Sequence, residues 1–247
     1  MGAPPCPPDL PAHGHADALA YEAVIRGVRV VASAGTAAYG EGPERDRDRR
    51  PGAFAGALVD GGPPADPYGA FRVGARGWVR RLEAGERSSW PFATAAAGGF
   101  GGAPGVVHRR TVAVSPRGSV AAVDEWTGRG ARSIDSFLPL APGLVAAPSG
   151  DGAVVRGAGG AWRLIAPGAR VTVEEGAYAL AMGTAVPRSV LRLSWRGGLP
   201  VRLVHAWTVG EHDASLSAEP RVGDEIRIDL ARGEDVETGW VPAGQPA

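Results

Sequence analysis

Short apolar runs separated by turn residues fill the second half of the chain. Turn residues recur about every 8–12 positions from residue 106 to residue 230, and no long stretch repeats apolar residues with the helical period. This spacing predicts an all-β fold, a large antiparallel β-sandwich of a dozen or more strands with helix below roughly 10%. The predicted strands in this half are 106–115, 119–126, 133–140, 153–156, 161–165, 170–174, 177–182, 189–195, 200–209 and 225–230.

The first half of the chain is less regular. Two alternating apolar runs flank Arg26-Gly27, which is a hairpin signal. Residues 40–52 are predicted to form a charged loop, and residues 68–83 a strand with a glycine bend. Residues 84–105 are rich in glycine and alanine and are predicted to be irregular.

The pattern divides the chain into three parts. Residues 1–12 are expected to form an extended, proline-rich lead-in, residues 13–232 the sandwich, and residues 233–247 a frayed tail. The first twelve residues lack the basic and apolar regions of a secretory signal. The sequence has no run of 18 apolar residues, so it predicts no membrane span.

Composition agrees with many short elements joined by turns. Glycine (38) and proline (22) make up about a quarter of the 247 residues, yet 44% are hydrophobic, and valine outnumbers leucine, which favours strands. The 26 basic and 26 acidic residues balance, so nucleic acid is not expected as a main partner. The single cysteine, Cys6, excludes an intrachain disulfide.

The densest chemical feature is His13-Gly14-His15. In an extended segment residues i and i+2 point the same way, so both imidazoles can face one site. Imidazole binds zinc and transfers protons near neutral pH. Two histidines alone do not make a zinc site, and the simpler interpretation is a solvated or hydrogen-bonded pair.

Other candidates each have a structural interpretation as well. The charged run 44–50 has the arginines to bind an anionic sugar, but a self-paired solvated loop is the simpler interpretation. His108 is expected at the surface or at a sheet edge, His205 as a satisfied core histidine, and His212 in a loop. The seven tryptophans are scattered over separate strands, which favours core packing over a sugar-stacking platform for most of them.

Four segments occur in order along the chain: HGHAD at 13–17, GTAAYG at 35–40, PER at 43–45 and GAFRVGAR at 69–76. They resemble the start of the C-terminal half of the heparinase II/III-like polysaccharide lyases. The combination of HGHAD, a GTxxYG segment, PER and GAFRVGAR in this order is fairly specific. The resemblance covers roughly residues 10–145 well, and the remainder more loosely. The stretches of the chain that carry the resemblance are LPAHGHADALAYE (10–22), VRVVASAGTAAYGEGPERDRDR (28–49), LVDGGPPADPYGAFRVGAR (58–76), GVVHRRTVAV (105–114) and FLPLAPGL (137–144).

The resemblance implies an enzyme in two parts. In that family an N-terminal α/α toroid supplies tyrosine, asparagine and histidine, and a C-terminal β-sandwich supplies further histidines and a zinc ion. Together they cleave uronic-acid polysaccharides by β-elimination. This chain begins about where the sandwich begins, so we expect no toroid in it. The sequence is then a fragment, a decayed copy or a split subunit of a lyase. The alternative is a non-catalytic sandwich that binds carbohydrate or a partner.

Carried over residue by residue, the resemblance gives a reduced site. His13 matches the histidine placed near the substrate, and His15 matches a zinc ligand. The other two ligand positions hold Ser33 and Phe54.

We therefore expect no zinc cofactor, because one imidazole does not hold zinc against competing ligands. Tyr39 of the GTxxYG segment and Arg45 of PER are assigned to substrate binding.

The expected partners are an anionic polysaccharide or a separately encoded α/α-toroid chain. Without the toroid, the isolated chain should show no eliminative cleavage, because a general acid and a base must both reach the sugar. Surface left open around residues 13–39 should favour self-association. Relatives are commonly periplasmic or secreted, and the sequence leaves the compartment open.

Overall fold

The protein is all-β. The computed structural model describes residues 11–220 and 225–244, of which most lie in antiparallel strands: the structure is 65% strand and 4% helix. This confirms the predicted fold class and strand number. A 3-10 helix spans Pro11–His13, and the short helix α1 spans Pro43–Asp48. Within the described part of the chain, no helix is long and apolar enough to cross a membrane.

Nineteen strands are present in the described residues. In chain order they are Ala23–Ile25 (β1), Val28–Val31 (β2), Ala57–Val59 (β3), Ala65–Tyr68 (β4), Arg72–Arg76 (β5), Trp78–Arg87 (β6), Trp90–Phe100 (β7), Ala103–Val114 (β8), Val120–Thr127 (β9), Ala131–Pro139 (β10), Val145–Ser149 (β11), Gly152–Gly157 (β12), Gly160–Ile165 (β13), Arg170–Ala181 (β14), Thr184–Gly198 (β15), Val201–Val209 (β16), Ala214–Pro220 (β17), Glu225–Arg232 (β18) and Asp235–Pro242 (β19).

Three sheets stack in layers. The central sheet has eight strands in the order β11-β12-β13-β16-β9-β8-β7-β6. The four-stranded sheet β14-β15-β10-β3 covers one face, and the three-stranded sheet β17-β18-β19 covers the other. Two small hairpins, β1-β2 and β4-β5, complete the fold.

Apolar side chains from alternate strand positions fill both gaps between the layers. Trp162 and Trp207 of the central sheet pack with Leu191 of the four-stranded sheet. On the opposite face, Trp90 packs with Ile228 of the three-stranded sheet. Burying a large apolar side chain stabilises a fold by about 1.5–3 kcal/mol, so these two cores hold the layers together.

The hairpin predicted at Arg26-Gly27 is confirmed. Both residues have positive φ, 52° and 80°, which is the geometry of a type I′ turn between β1 and β2.

Residues 84–105 were expected to be irregular, but they form regular strands. Half of this segment is β7, paired between β6 and β8, and its two ends belong to those neighbouring strands. Its alanines give no alternating pattern because small side chains are buried on both faces. Ala95 and Ala97 pack against Ala18 and Leu19, so the small residues let the segment after the HxH motif approach the sheet closely.

The tail is also more ordered than expected. Residues 235–242 form β19, and Val241 is fully buried against the central sheet. Gly239 lies directly against the indole of Trp90, where a side chain would clash. Residues 1–10, most of the predicted lead-in, and residues 245–247 of the predicted tail lie outside the described residues.

Candidate functional site

The HxH segment begins at His13, the last residue of the 3-10 helix, and is held by buried arginines through its backbone. Arg49 donates from Nε to the Gly14 carbonyl at 2.9 Å and from Nη2 to the Pro11 carbonyl at 3.0 Å. The N–H of Ala16 donates back to the Arg49 carbonyl at 2.8 Å. These bonds fix the segment through its backbone rather than through its imidazoles.

The charged run 44–50 is not the solvated loop expected from the sequence: Glu44, Asp46 and Arg50 are exposed, but its other side chains are partly or fully buried. Residues 43–48 form α1, with proline in its first turn. Arg45, Asp48 and Arg49 are each buried to within about 1% exposure. Arg45 and Arg49 donate to backbone carbonyls, and Asp48 accepts from a backbone N–H, so these three side chains form a clamp that holds neighbouring segments together.

Three of the predicted site residues come together: His13 and Tyr39 at the surface, and Arg45 buried against the Tyr39 ring. His13 is exposed and packs edge-on against Tyr39, with 5.7 Å between ring centroids. The guanidinium carbon of Arg45 lies 4.7 Å from the centre of the Tyr39 ring. Phe71 packs on Tyr39 at 6.1 Å. The result is an exposed imidazole beside an aromatic ring that is supported from below.

Arg45 has a structural part in this arrangement. Its guanidinium donates to the carbonyls of Ala12 and Ala70, which ties the HxH segment to the turn between β4 and β5. Its side chain is buried, so contact with a ligand would have to pass through Tyr39. The assignment of Tyr39 and Arg45 to substrate binding stays a prediction.

His15 has the orientation that metal ligands often have. Its Nδ1–H donates to the Asp48 carbonyl at 3.0 Å, which leaves Nε2 as the lone-pair nitrogen. Burial lowers the pKa of His15, the hydrogen bond to Asp48 raises it, and the charge of Arg45 lowers it; the net shift is downward. The ring is therefore held in the neutral form.

The residues around His15 do not fit zinc. The Phe54 ring packs edge-on against His15 with 4.8 Å between ring centroids. An apolar ring therefore lies beside the one imidazole among the three positions that match the family's zinc ligands. Ser33 precedes Ala34, whose N–H donates to the carbonyl of Ala53, and this places Ser33 in the neighbouring segment. No group of three metal-binding side chains occurs in residues 11–220 and 225–244. That zinc binds weakly or not at all stays a prediction.

A buried polar network lies beneath the site and was missed from the sequence. Arg110 donates to Asp124 at 2.6 and 3.1 Å, and to the carbonyls of Leu19 and Ala55 at 3.1 and 2.7 Å. Leu19 follows the HxH segment, and Ala55 follows Phe54. One fully buried guanidinium thus holds both segments of the site against the central sheet.

Histidines complete this network. Nε2 of His108 donates to Asp124 at 2.6 Å, and its ring stacks on Trp126 with 3.8 Å between centroids. Burial alone would raise the pKa of Asp124, but the charge of Arg110 and the bonds from His108 hold it well below its usual range. His108 is thus a core residue, and its expected surface or edge position is wrong.

His205 lies on the same face of the sheet, where it was expected. Its Nε2 is 2.8 Å from the hydroxyl of Tyr21, and burial lowers its pKa to about 4. This confirms a satisfied core histidine. His212 lies between β16 and β17, as expected for a loop residue. Of the tryptophans, four are fully buried: Trp90, Trp126, Trp162 and Trp207.

Exposed apolar side chains border the site. Tyr39, Tyr68 and Phe71 are each more than a third exposed. The tip of the β14-β15 hairpin adds exposed Leu180 and Met182. This hairpin is bonded to the GTxxYG segment through Ala179 N–H to Ala34 O at 2.8 Å and Gly183 N–H to Ala37 O at 2.7 Å. Both groups therefore flank the same segment.

Comparison with solved structures identifies the fold. The heparan sulfate lyase HepC from Pedobacter heparinus, in a mutant form, has a TM-score of 0.78 at 14% identity, over 100% of this chain and 39% of that one. A heparinase III structure has a TM-score of 0.74 at 13% identity, over 93% of this chain and 36% of that one. This chain spans less than two fifths of the length of these lyases.

The family follows from the sequence. The profile of the family described as heparinase II/III-like, C-terminal, matches residues 2–228, and the chain therefore belongs to this family. No curated protein matches the chain.

Proposed function

We propose that this chain is the β-sandwich part of a polysaccharide lyase that cleaves uronic-acid glycans by β-elimination, and that it acts only with an α/α toroid. The observation that carries this proposal is the exposed His13-Tyr39 pair, fixed on a buried arginine clamp. A site without function would not require an exposed imidazole on a segment held by so many buried bonds.

The chemistry explains why the chain alone is incomplete. Elimination requires neutralisation of the C6 carboxylate, removal of the C5 proton and protonation of the leaving oxygen. His13 and Tyr39 offer one imidazole and one phenol at the surface. Arg45, which packs on Tyr39, and Arg49, which bonds to the HxH backbone, are buried and bonded to carbonyls. We therefore expect the toroid to supply the group that neutralises the carboxylate.

The apolar border supports a partner at this face. Exposed patches of several hundred Å² commonly mark interaction sites. Phe71 packs on Tyr39 of the GTxxYG segment, and the hairpin that carries exposed Leu180 and Met182 is bonded to the same part of the chain. A toroid seated on both would bring its own side chains over His13.

A binding module without catalysis is the second candidate. Exposed aromatic rings present flat apolar faces to sugars, and Tyr39, Tyr68, Phe71 and Trp78 are all exposed. On this alternative the chain binds polysaccharide, and the toroid adds nothing.

The test follows the ultraviolet absorbance of the unsaturated uronate product with heparan sulfate, alginate and hyaluronan. We expect no product from the chain alone, and product once the α/α toroid from the same organism is added. Steady product from the pure chain would contradict the need for a toroid. A stable complex that makes no product from these glycans would favour the binding module.

A further inference from the structure

The outer face of the four-stranded sheet carries an open cleft of about 700 Å³. Side chains from three neighbouring strands line it. Strand pairing puts Arg170 opposite Ser194 and Ser133 opposite Arg196, and residues two apart on a strand share a face. The lining residues are Ser133, Asp135, Arg170, Thr172, Glu174, Arg192, Ser194, Trp195 and Arg196.

The acidic residues of the cleft are already neutralised. Arg192 donates to both oxygens of Asp135 at 3.0 and 2.9 Å and to Glu174 at 3.1 Å. Burial raises the pKa of Asp135, but the hydrogen bonds from Arg192 and Ser194 outweigh it and lower the pKa overall. The central guanidinium therefore has little capacity left for a ligand.

The other two arginines are available. Arg170 and Arg196 are exposed, and neither has a hydrogen bond or ion pair within residues 11–220 and 225–244. Arg170 faces Ser194 across the pair of strands, and Arg196 lies two residues further along, a diagonal separation of about 7–8 Å. Three arginines against two carboxylates leave the cleft with an excess of one positive charge, carried at this end.

The cleft and the candidate site lie at different points along β15. Arg188, on the same face of that strand, donates to the carbonyls of Ala32 at 2.6 Å and Ala53 at 3.0 Å, next to Ser33 and Phe54. From Arg188 to Ser194 is six residues, or about 20 Å along a strand. The site segments cover one end of this sheet face, and the cleft occupies the open end.

We propose that Arg170 and Arg196 bind acidic groups of a polysaccharide, as a distal subsite on the outer face of the four-stranded sheet. Guanidinium forks match sulfate and carboxylate oxygens, and the hydroxyls of Ser133 and Thr172 lie beside them for sugar hydroxyls. This inference rests on the proposed function, since it takes the same class of glycan as ligand. It extends the contact surface away from the reacting bond.

The test measures binding of oligosaccharides to the whole chain by calorimetry at low ionic strength. The probes are a sulfated heparin dodecasaccharide, an alginate dodecasaccharide that carries carboxylates only, and neutral chitohexaose. The variants are Arg170→Gln, Arg196→Gln and the double change. Arg26→Gln is the matched control, an exposed arginine on the β1-β2 turn.

We expect the double change to weaken binding of an acidic probe by about tenfold or more, with each single change giving part of the loss. Arg26→Gln should change it by less than about twofold, and chitohexaose should bind far more weakly. A heparin-only effect assigns the subsite to sulfate, and an equal alginate effect to any acidic group.

Equal affinities for the double variant and the control would overturn the proposal, as would an acidic probe that does not bind the wild type at all. Either result leaves the lyase assay with the toroid untouched, so the two proposals fail separately. Unchanged melting temperatures of the variants exclude a folding defect, because both arginines are exposed.

Discussion

The buried pair of Arg110 and Asp124 should contribute strongly to stability, because it joins the site segments to the central sheet. Arg110 makes two bonds to Asp124 and one each to the carbonyls of Leu19 and Ala55. Arg110→Met would remove all four and leave a buried carboxylate whose remaining close donor is His108. Removing one partner of a buried ion pair costs about 3–5 kcal/mol. That is a large part of a typical folding free energy of about 5–15 kcal/mol.

The assay is urea unfolding followed by tryptophan fluorescence, because four buried indoles report on the core. The control is Arg202→Met, which breaks a more exposed pair with Glu125 and should cost about 0–1 kcal/mol. Arg110→Met combined with Asp124→Asn should cost less than the sum of the single changes. A loss below about 1 kcal/mol for Arg110→Met, or full additivity, would refute the anchoring role of this pair.

Three further predictions concern the site and its surroundings. Burial raises the pKa of Asp17 from 3.8 to about 6, so the stability that the protonated carboxyl contributes is present below pH 3.8 and is lost as the pH rises through 6. In thermal melts, Asp17→Asn should therefore raise the free energy of unfolding by about 1–3 kcal/mol at pH 8 but not near pH 4. An equal gain at both pH values would contradict the burial effect. Ser33→Asp combined with Phe54→His should create zinc binding, seen in calorimetry and thermal melts, that neither single change gives. Phe54→His alone should lower the free energy of unfolding by about 1–3 kcal/mol, because Phe54 is buried. Tight zinc binding by the wild type would show that the ligand positions are wrong. The isolated chain should self-associate in sedimentation, less so after Phe71→Ser with Met182→Ser, and a monodisperse wild-type monomer at high concentration would count against this.

The sequence predicted the strands wherever local signals were sufficient. The β1-β2 hairpin follows from Arg26-Gly27, whose turn geometry needs positive φ, and most strands after residue 106 follow from alternation and turn spacing. The strands β11 and β17 were not predicted, and β14 was predicted as two runs, 170–174 and 177–182. The β7 strand was missed because its alanines are buried on both faces and give no period of two. The helix α1 was missed because six residues are too few for a helical period to appear.

The candidate site could be predicted only in part. His13, His15 and Tyr39 were chosen from motifs; the structure places His13 against Tyr39 and His15 against Phe54, and their functional roles stay predictions. Burial of Arg49 and Arg110 could not be read from the sequence, because charged residues are exposed unless tertiary partners satisfy them. Their partners are carbonyls of distant segments, and no local pattern encodes these.

The most direct test of the proposed function compares eliminative cleavage by the assembled toroid and sandwich with and without the His13 imidazole. His13→Ala should lower kcat by about 10²–10⁴-fold while the melting temperature of the chain is unchanged, because His13 is exposed and its removal disturbs no core contact. The matched control is His212→Ala, an exposed loop histidine on another part of the chain, which should retain full activity. Unchanged cleavage by the His13→Ala complex, or an equal loss in the His212→Ala complex, would contradict the role given to this site.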